Sequence, residues 1–148
     1  ALAIELSPGG KVLIFPGDAQ VGNWLSWQDV KWTEKDDSVI DAADLLSRTV
    51  VYKVGHHGSH NATLSDNGLE LMTGPDLIGL IPVNTDTAQK KRWSMPYPPL
   101  RARLEELSED RTYLADAGVD GLQNGGEEQL PNAVIRQEAL YVDVELKQ

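Results

Sequence analysis

The run Thr49-Val50-Val51-Tyr52-Lys53-Val54 constrains the fold more than any other stretch of this chain. β-branched and aromatic side chains in one run suit a pleated, packed surface, so the segment reads as a central strand, and a central strand needs neighbours. One lies upstream. Ala1 to Leu6 alternates, with Leu2, Ile4 and Leu6 on one face; Ser7-Pro8-Gly9-Gly10 is a turn in which glycine supplies positive φ at little cost; Lys11 to Phe15 returns as an apolar strand. This hairpin stops at Pro16-Gly17-Asp18, and the central strand stops at Gly55-His56-His57-Gly58.

Between the two, Val21 to Trp27 has the apolar spacing of a short helix, and helical spacing returns from Ile40 to Leu46. Residues 28–40 are polar and charged and read as a surface insertion. Downstream, a short helix around Leu69 to Met72 closes at Gly74-Pro75, and Leu77 to Val83 is a second buried strand. Residues 85–99 show no period, and Leu100, Leu104 and Leu107 form one stripe of a helix. The tail reads as short strands at 112–115, 121–122, 133–139 and 140–146, separated by Gly, Asp and Asn turns. Strands alternating with short helices, followed by a strand-rich tail, predict an α+β fold. Its mixed sheet is covered by helices on one side, and its other face packs against a second sheet.

With 148 residues, 41% of them apolar, the chain can support a real core. Thirteen basic against 23 acidic residues give a formal charge of −10, which favours solubility and works against nonspecific binding to phosphate backbones. The absence of cysteine excludes disulfides and thiolate metal sites, so a transition-metal site must use His, Asp and Glu. No run approaches the roughly 20 apolar residues that span a bilayer, and no signal-type segment opens the chain. We therefore expect no membrane contact and a cytoplasmic setting. A first strand that starts at Ala1 without an initiator Met is expected of a piece of something longer, or of a terminus from which Met was removed ahead of a small residue.

Two strands end alike, with an apolar run, a glycine and then a metal-competent side chain: Phe15-Pro16-Gly17-Asp18 and Lys53-Val54-Gly55-His56-His57. If both strands lie in one sheet with their C-terminal ends together, Asp18 and the histidines converge on one edge, where α/β proteins place their sites. Taken separately, Gly17-Asp18 is an ordinary turn and His56-His57 an ordinary loop or a satisfied buried pair, and the two then lie far apart. All three histidines, His56, His57 and His60, fall within five positions. Lys90-Lys91-Arg92-Trp93 is the one strong basic cluster; it reads as a solvated loop or as cations that meet phosphate beside a stacking aromatic. Trp24, Trp27 and Trp32 read as packing residues or as a pocket wall.

Phe15-Pro16-Gly17-Asp18-Ala19 resembles the Thr-Gly-Asp motif, and Tyr52-Lys53-Val54-Gly55-His56-His57-Gly58-Ser59 the Lys-x-x-His-His-Gly-Ser motif, of metallo-β-lactamase-fold metal-dependent hydrolases, nearest to the ComEC-like hydrolase domain group. The strand at 77–83, the helix with Leu100, Leu104 and Leu107, and Thr112-Tyr113-Leu114-Ala115-Asp116 continue the likeness. The resemblance implies that residues 1–148 are the C-terminal portion of such a domain, half of an αββα four-layer sandwich. It implies Asp18 as a carboxylate bridging two divalent metal ions, zinc or manganese, His56 as a ligand, and His57 beside the substrate. Two such ions activate water and stabilise a leaving oxygen, here on a phosphoester, lactone or amide. The choice between His56 and His57 as ligand stays open.

The sequence departs from the family pattern in one large respect. The family's His-x-His-x-Asp-His signature precedes the hairpin in its relatives, and no histidine occurs here outside residues 56–60. Met95-Pro96-Tyr97-Pro98 also stands where many relatives carry a His-containing segment. The expected partner is accordingly the N-terminal half of the same domain, or a second copy covering the sheet face that this half would fill. The piece alone is expected to be inactive, with no metal or partial occupancy. The alternative is a module of the same fold that lost catalysis and serves binding or structure.

Overall fold

The computed structural model describes residues 1–34, 36–116, 126–137 and 141–147. The chain is a mixed α+β protein. Strands β1 (Leu2–Glu5) and β2 (Val12–Phe15) form the expected hairpin, with Leu2 opposite Phe15 and Ile4 opposite Leu13. Its turn uses Gly9 at φ 67°, closed by the Gly10 N–H donating to the Ser7 carbonyl at 2.8 Å. Helix α1 (Val21–Trp27) follows, opened by a reciprocal cap between Gln20 and Asn23. The only residue it buries is Trp24, whose Nε1 donates to the Ala62 carbonyl at 3.0 Å.

Residues 28–40, read as a surface insertion, are mostly exposed where described, but they are not without structure. They hold β3 (Lys31–Thr33), which pairs with β4 (Val39–Asp41) so that Trp32 faces Ile40, and both side chains pack on the main core. Each strand has one inward apolar residue, too few to set a period. The helix expected from Ile40 begins later, as α2 (Ala42–Ser47), because Asp41 acts as its N-cap and accepts from the Asp44 N–H at 3.0 Å. Arg48 then ties α2 to the first hairpin through Asp44 at 2.6 Å and Glu5 at 2.6 Å.

Strand β5 (Thr49–Lys53) is central, and its first four residues are buried. After two short 3₁₀ turns at His56–Gly58 and Leu69–Leu71 come β6 (Ile78–Ile81), α3 (Thr85–Lys91), α4 (Pro98–Leu107) and β7 (Thr112–Leu114). Helix α3 falls where no period was visible. It is set by Asn84, which caps the Thr87 N–H at 2.7 Å, and it buries Ala88 alone, so it has no apolar stripe to read. Helix α4 starts two residues earlier than its leucine stripe, since Pro98 and Pro99 occupy the first turn, where a missing N–H costs nothing. The sheet order is β1-β2-β5-β6-β7, with β1 antiparallel and the other three junctions parallel.

The last strands, β8 (Gly126–Gln129), β9 (Ala133–Gln137) and β10 (Val142–Leu146), form a separate antiparallel sheet in the order β10-β9-β8. The expected strand at 121–122 and the ends of those at 133–139 and 140–146 that touch residues 138–140 lie outside the described residues. Alternation assigns the faces of the large sheet. Val12, Ile14, Tyr52, Val54, Ile81 and Leu114 share the core with Trp24, Leu46, Met72 and Leu104 from the covering helices and turns. On the opposite face Ile78 and Tyr113 pack with Ala133 and Ile135 of the small sheet. Leu2, Ile4 and Leu6, also on that face, are 55%, 39% and 50% exposed. No helix among the described residues is long and apolar enough to cross a membrane.

Candidate functional site

Four parallel strands, β2, β5, β6 and β7, finish at one edge of the sheet, and the segments that follow them are Pro16-Gly17-Asp18, Gly55-His56-His57, Pro82-Val83 and Ala115-Asp116. The first two are in direct contact: the His56 N–H donates to the Gly17 carbonyl at 3.1 Å. Glycine at position 55 is what permits this approach, because a Cβ there would collide with the Gly17 carbonyl oxygen. The reading in which the two motifs are unrelated, distant turns is therefore excluded by the backbone alone.

The His-His turn is left-handed. His56, His57 and Gly58 have φ of 42°, 53° and 72° in succession. Two adjacent non-glycine residues in this region are uncommon, each costing on the order of 1–3 kcal/mol, and such outliers cluster at functional sites. The turn is buttressed from outside. The Tyr97 N–H donates to the Gly58 carbonyl at 2.7 Å, and a Cβ on Gly58 would stand 3.0 Å from the Pro96 Cβ. The sharp turn also breaks the alternation that runs Val50, Tyr52, Val54, so period two does not by itself aim His56.

Hydrogen bonding fixes the tautomer of both rings. The Ser59 hydroxyl donates to Asn61 Oδ1 at 2.8 Å, so it meets His56 Nδ1 at 3.0 Å as an acceptor, and Nδ1 carries the proton. His57 Nδ1 lies 2.7 Å from the Pro82 carbonyl, which only accepts, so it too is protonated. Among the described residues neither Nε2 has a hydrogen-bond partner, so in the neutral ring its lone pair is open, the arrangement by which a ligating histidine is oriented through its other nitrogen. Ser59, Asn61 and Pro82 are supporting residues that sequence reasoning did not assign. The Ser-x-Asn step behind the histidines was the available signal for the first two.

Asp18 is exposed, and among the described residues its carboxylate has no side-chain partner. An unpaired carboxylate and an imidazole Nε2 on adjoining turns suit a hard or borderline divalent cation. They are a partial set: no group of three or more His, Asp or Glu able to hold an ion occurs among the described residues. His60 does not join them. It sits edge-on to Tyr97, with ring centroids 6.2 Å apart, and lines a different hollow with Thr63 and Leu100. Asp116, at the end of β7, accepts from both the Thr85 N–H and its hydroxyl, so it anchors the start of α3.

Beside the His-His turn the edge opens into a hollow of about 340 Å³, walled by His57, Pro82, Val83, Ala88, Trp93 and Met95. It falls within the roughly 300–1,000 Å³ of small-molecule sites. Trp24, Trp27 and Tyr52 instead form a packed aromatic group, with Trp24 5.8 Å from Trp27 and 6.3 Å from Tyr52, while Trp32 packs on the core from the β3–β4 hairpin. Compared with protein-family models, with curated proteins and with solved structures, the chain matches none of them.

Proposed function

We propose that this chain is the C-terminal portion of a metal-dependent hydrolase with a metallo-β-lactamase-like four-layer sandwich, and that it contributes one carboxylate and one imidazole to a two-metal site. The observation that carries the reading is the Gly17–His56 backbone hydrogen bond, which joins the two strand ends bearing Asp18 and His56. The uncovered apolar stretch of Leu2, Ile4 and Leu6 supports it as well, since the other half of a sandwich needs such a face to pack on.

In this reading Asp18 and His56 Nε2 would help hold two divalent ions, zinc or manganese, the carboxylate shared between them and the imidazole given to one. Ser59 and Asn61 hold the His56 ring in the ligating tautomer. His57, turned by the Pro82 carbonyl, offers its Nε2 as a proton acceptor towards the substrate. When bound, the ions would supply the acidity that makes water a nucleophile near neutral pH and the charge that stabilises a leaving oxygen. The scissile bond belongs to a phosphoester, lactone or amide. The remaining ligands come from a preceding segment of the same domain, because two side chains leave a tetrahedral ion half-coordinated.

The test joins the coding sequence ahead of Ala1 to metal analysis. The reading expects an encoded His-x-His-x-Asp-His, two ions bound by the longer protein, and loss of one or both in Asp18→Asn and His56→Ala. Two ions held tightly by residues 1–148 alone, with turnover, overturn the assignment of ligands to another segment. A longer protein without that motif points to the non-catalytic module.

A further inference from the structure

The basic cluster Lys90-Lys91-Arg92-Trp93 plays no part in the hydrolytic reading, yet it stands at the candidate site. Trp93 is one wall of the hollow that His57 also lines, together with Val83, Ala88 and Met95. Its ring is 53% exposed, although a tryptophan offers more apolar area to bury than any other side chain. Its backbone is fixed all the same: the Trp93 N–H donates to the Ala88 carbonyl at 2.9 Å, and Arg92 takes the left-handed conformation (φ 57°) that ends α3. Trp93 is thus placed on the hollow by the end of a helix and stays half exposed there.

The charges immediately before Trp93, at the end of α3, run against the molecule's overall sign. In a chain of net charge −10, Lys90, Lys91 and Arg92 are consecutive and exposed, and none has an ion pair or side-chain hydrogen bond among the described residues. Other arginines are engaged: Arg48, Arg101, Arg103, Arg111 and Arg136 each meet a carboxylate within 3.1 Å. Two carboxylates stand close by in the fold: Asp116 is committed to Thr85, and Asp86, four residues before Lys90 on α3, makes no ion pair with the cluster among the described residues. An apolar hollow with a half-exposed aromatic wall, beside a helix end whose three cations are unpaired among the described residues, is complementary to one ligand chemistry, a flat apolar group carried by an anion.

We propose that this hollow is a specificity subsite that binds the aromatic group of an anionic substrate, with Trp93 stacking on the ring and the Lys90–Arg92 cluster meeting the negative group. The assignment rests on the hydrolytic reading for its place beside a reaction centre. Its ligand chemistry rests on the hollow and the charges. Phosphate and carboxylate share that chemistry, and the experiment separates them.

The experiment is a titration of the ¹⁵N-labelled chain, with chelator present to remove divalent ions, following the Trp93 indole N–H by NMR. The probes are 1-naphthyl phosphate, 1-naphthoate, 1-naphthol and inorganic phosphate. At least one aryl anion should shift the Trp93 signal, and whichever binds more tightly names the headgroup. The neutral naphthol should bind about tenfold more weakly, and inorganic phosphate should leave Trp93 unmoved. Trp93→Ala should weaken the aryl anion by about tenfold or more, in line with stacking on an aromatic platform. Replacing Lys90, Lys91 and Arg92 together by Gln should remove its salt dependence. Thr87→Phe, which fills the mouth from α3, gives a second route to the same loss without touching the aromatic. Binding unchanged by both Trp93→Ala and Thr87→Phe overturns the proposal. So do shifts confined to the separate hollow beside Lys53 and Tyr141, or inorganic phosphate reproducing the Trp93 shift. Since divalent ions are excluded, failure here leaves the Asp18–His56 assignment standing, and failure of metal binding leaves this one standing.

Discussion

The two faces of the five-stranded sheet are equally apolar in sequence and unequally finished in structure. On the helix side, Val12, Ile14, Tyr52, Val54, Ile81 and Leu114 are all at most 4% exposed. On the other side, Ile78 and Tyr113 reach the same state under the small sheet, but Leu2, Ile4 and Leu6 are 39–55% exposed. The difference is one of cover: among the described residues no layer lies above β1. A run of apolar residues left on one sheet face marks a contact surface, whereas a sealed face marks the element that holds the molecule together. The candidate site lies at the edge of the sheet where its four parallel strands end.

The sharpest way to test that contrast is to remove a large side chain from the sealed face. Trp24→Ala should cost about 3–5 kcal/mol in denaturant unfolding, because it deletes the aromatic group against Tyr52 and the bond to Ala62 together. A loss below about 1 kcal/mol would mean that this face is not the folding core. Next comes the junction of the two strand ends. Gly55→Ala must push the Gly17 carbonyl away, and it should cost about 2 kcal/mol while shifting the amide resonances of both turns. A native-like spectrum at Asp18 and His56 in that variant would show that the two turns are not in contact.

The same contrast explains what could be read from the sequence. The hairpin, the central strand, the strand at 77–83 and the α4 stripe were legible because burial on a regular element writes a period into the sequence. Strand β8, Gly126-Glu127-Glu128-Gln129, has no large apolar residue; it is held by its ladder to β9 and by Tyr113 donating to Glu128 at 2.9 Å. Helix α3 and the β3–β4 hairpin likewise bury too few side chains to leave a pattern. At the site, the adjacency of the two turns was legible from two matching strand ends. The tautomers were not, because they depend on how the turn brings Ser59 and Pro82 round to the rings. The hollow under Trp93 was not either, since its walls come from four separate segments.

A smaller effect tests the sealed face through pH. Tyr52 is fully buried, and burial holds its phenol protonated well above the ordinary value of 10.0, opposed by its 2.5 Å hydrogen bond to Thr63. The folded pKa is raised, so the stabilisation is complete below about pH 10 and is lost as pH rises, when the unfolded chain ionises and the folded one does not. Tyr52→Phe should cost about 1 kcal/mol at neutral pH and reduce the loss of stability above pH 10. Some of that loss should remain, since burial and then Glu128 raise Tyr113 in the same direction. An unchanged alkaline slope in Tyr52→Phe would mean that water reaches the phenol.

The smallest expected change in stability is on the uncovered half of the open face, where the informative quantity is association. Leu2, Ile4 and Leu6 are already largely in water, so replacing all three by Lys removes little buried area and should move the unfolding free energy by no more than about 0.5 kcal/mol per site. The same change takes away the contiguous apolar surface of β1. If that surface is a contact face, the unmodified chain should self-associate by light scattering at concentrations where the triple variant is monomeric. The variant should also bind less of a hydrophobic dye. A clean monomer for the unmodified chain would remove the contact-face reading and leave β1 as an ordinary edge. A loss of several kcal/mol in the triple variant would instead mean that β1 is sealed in solution by something other than the described residues, and the distinction between the two faces would disappear.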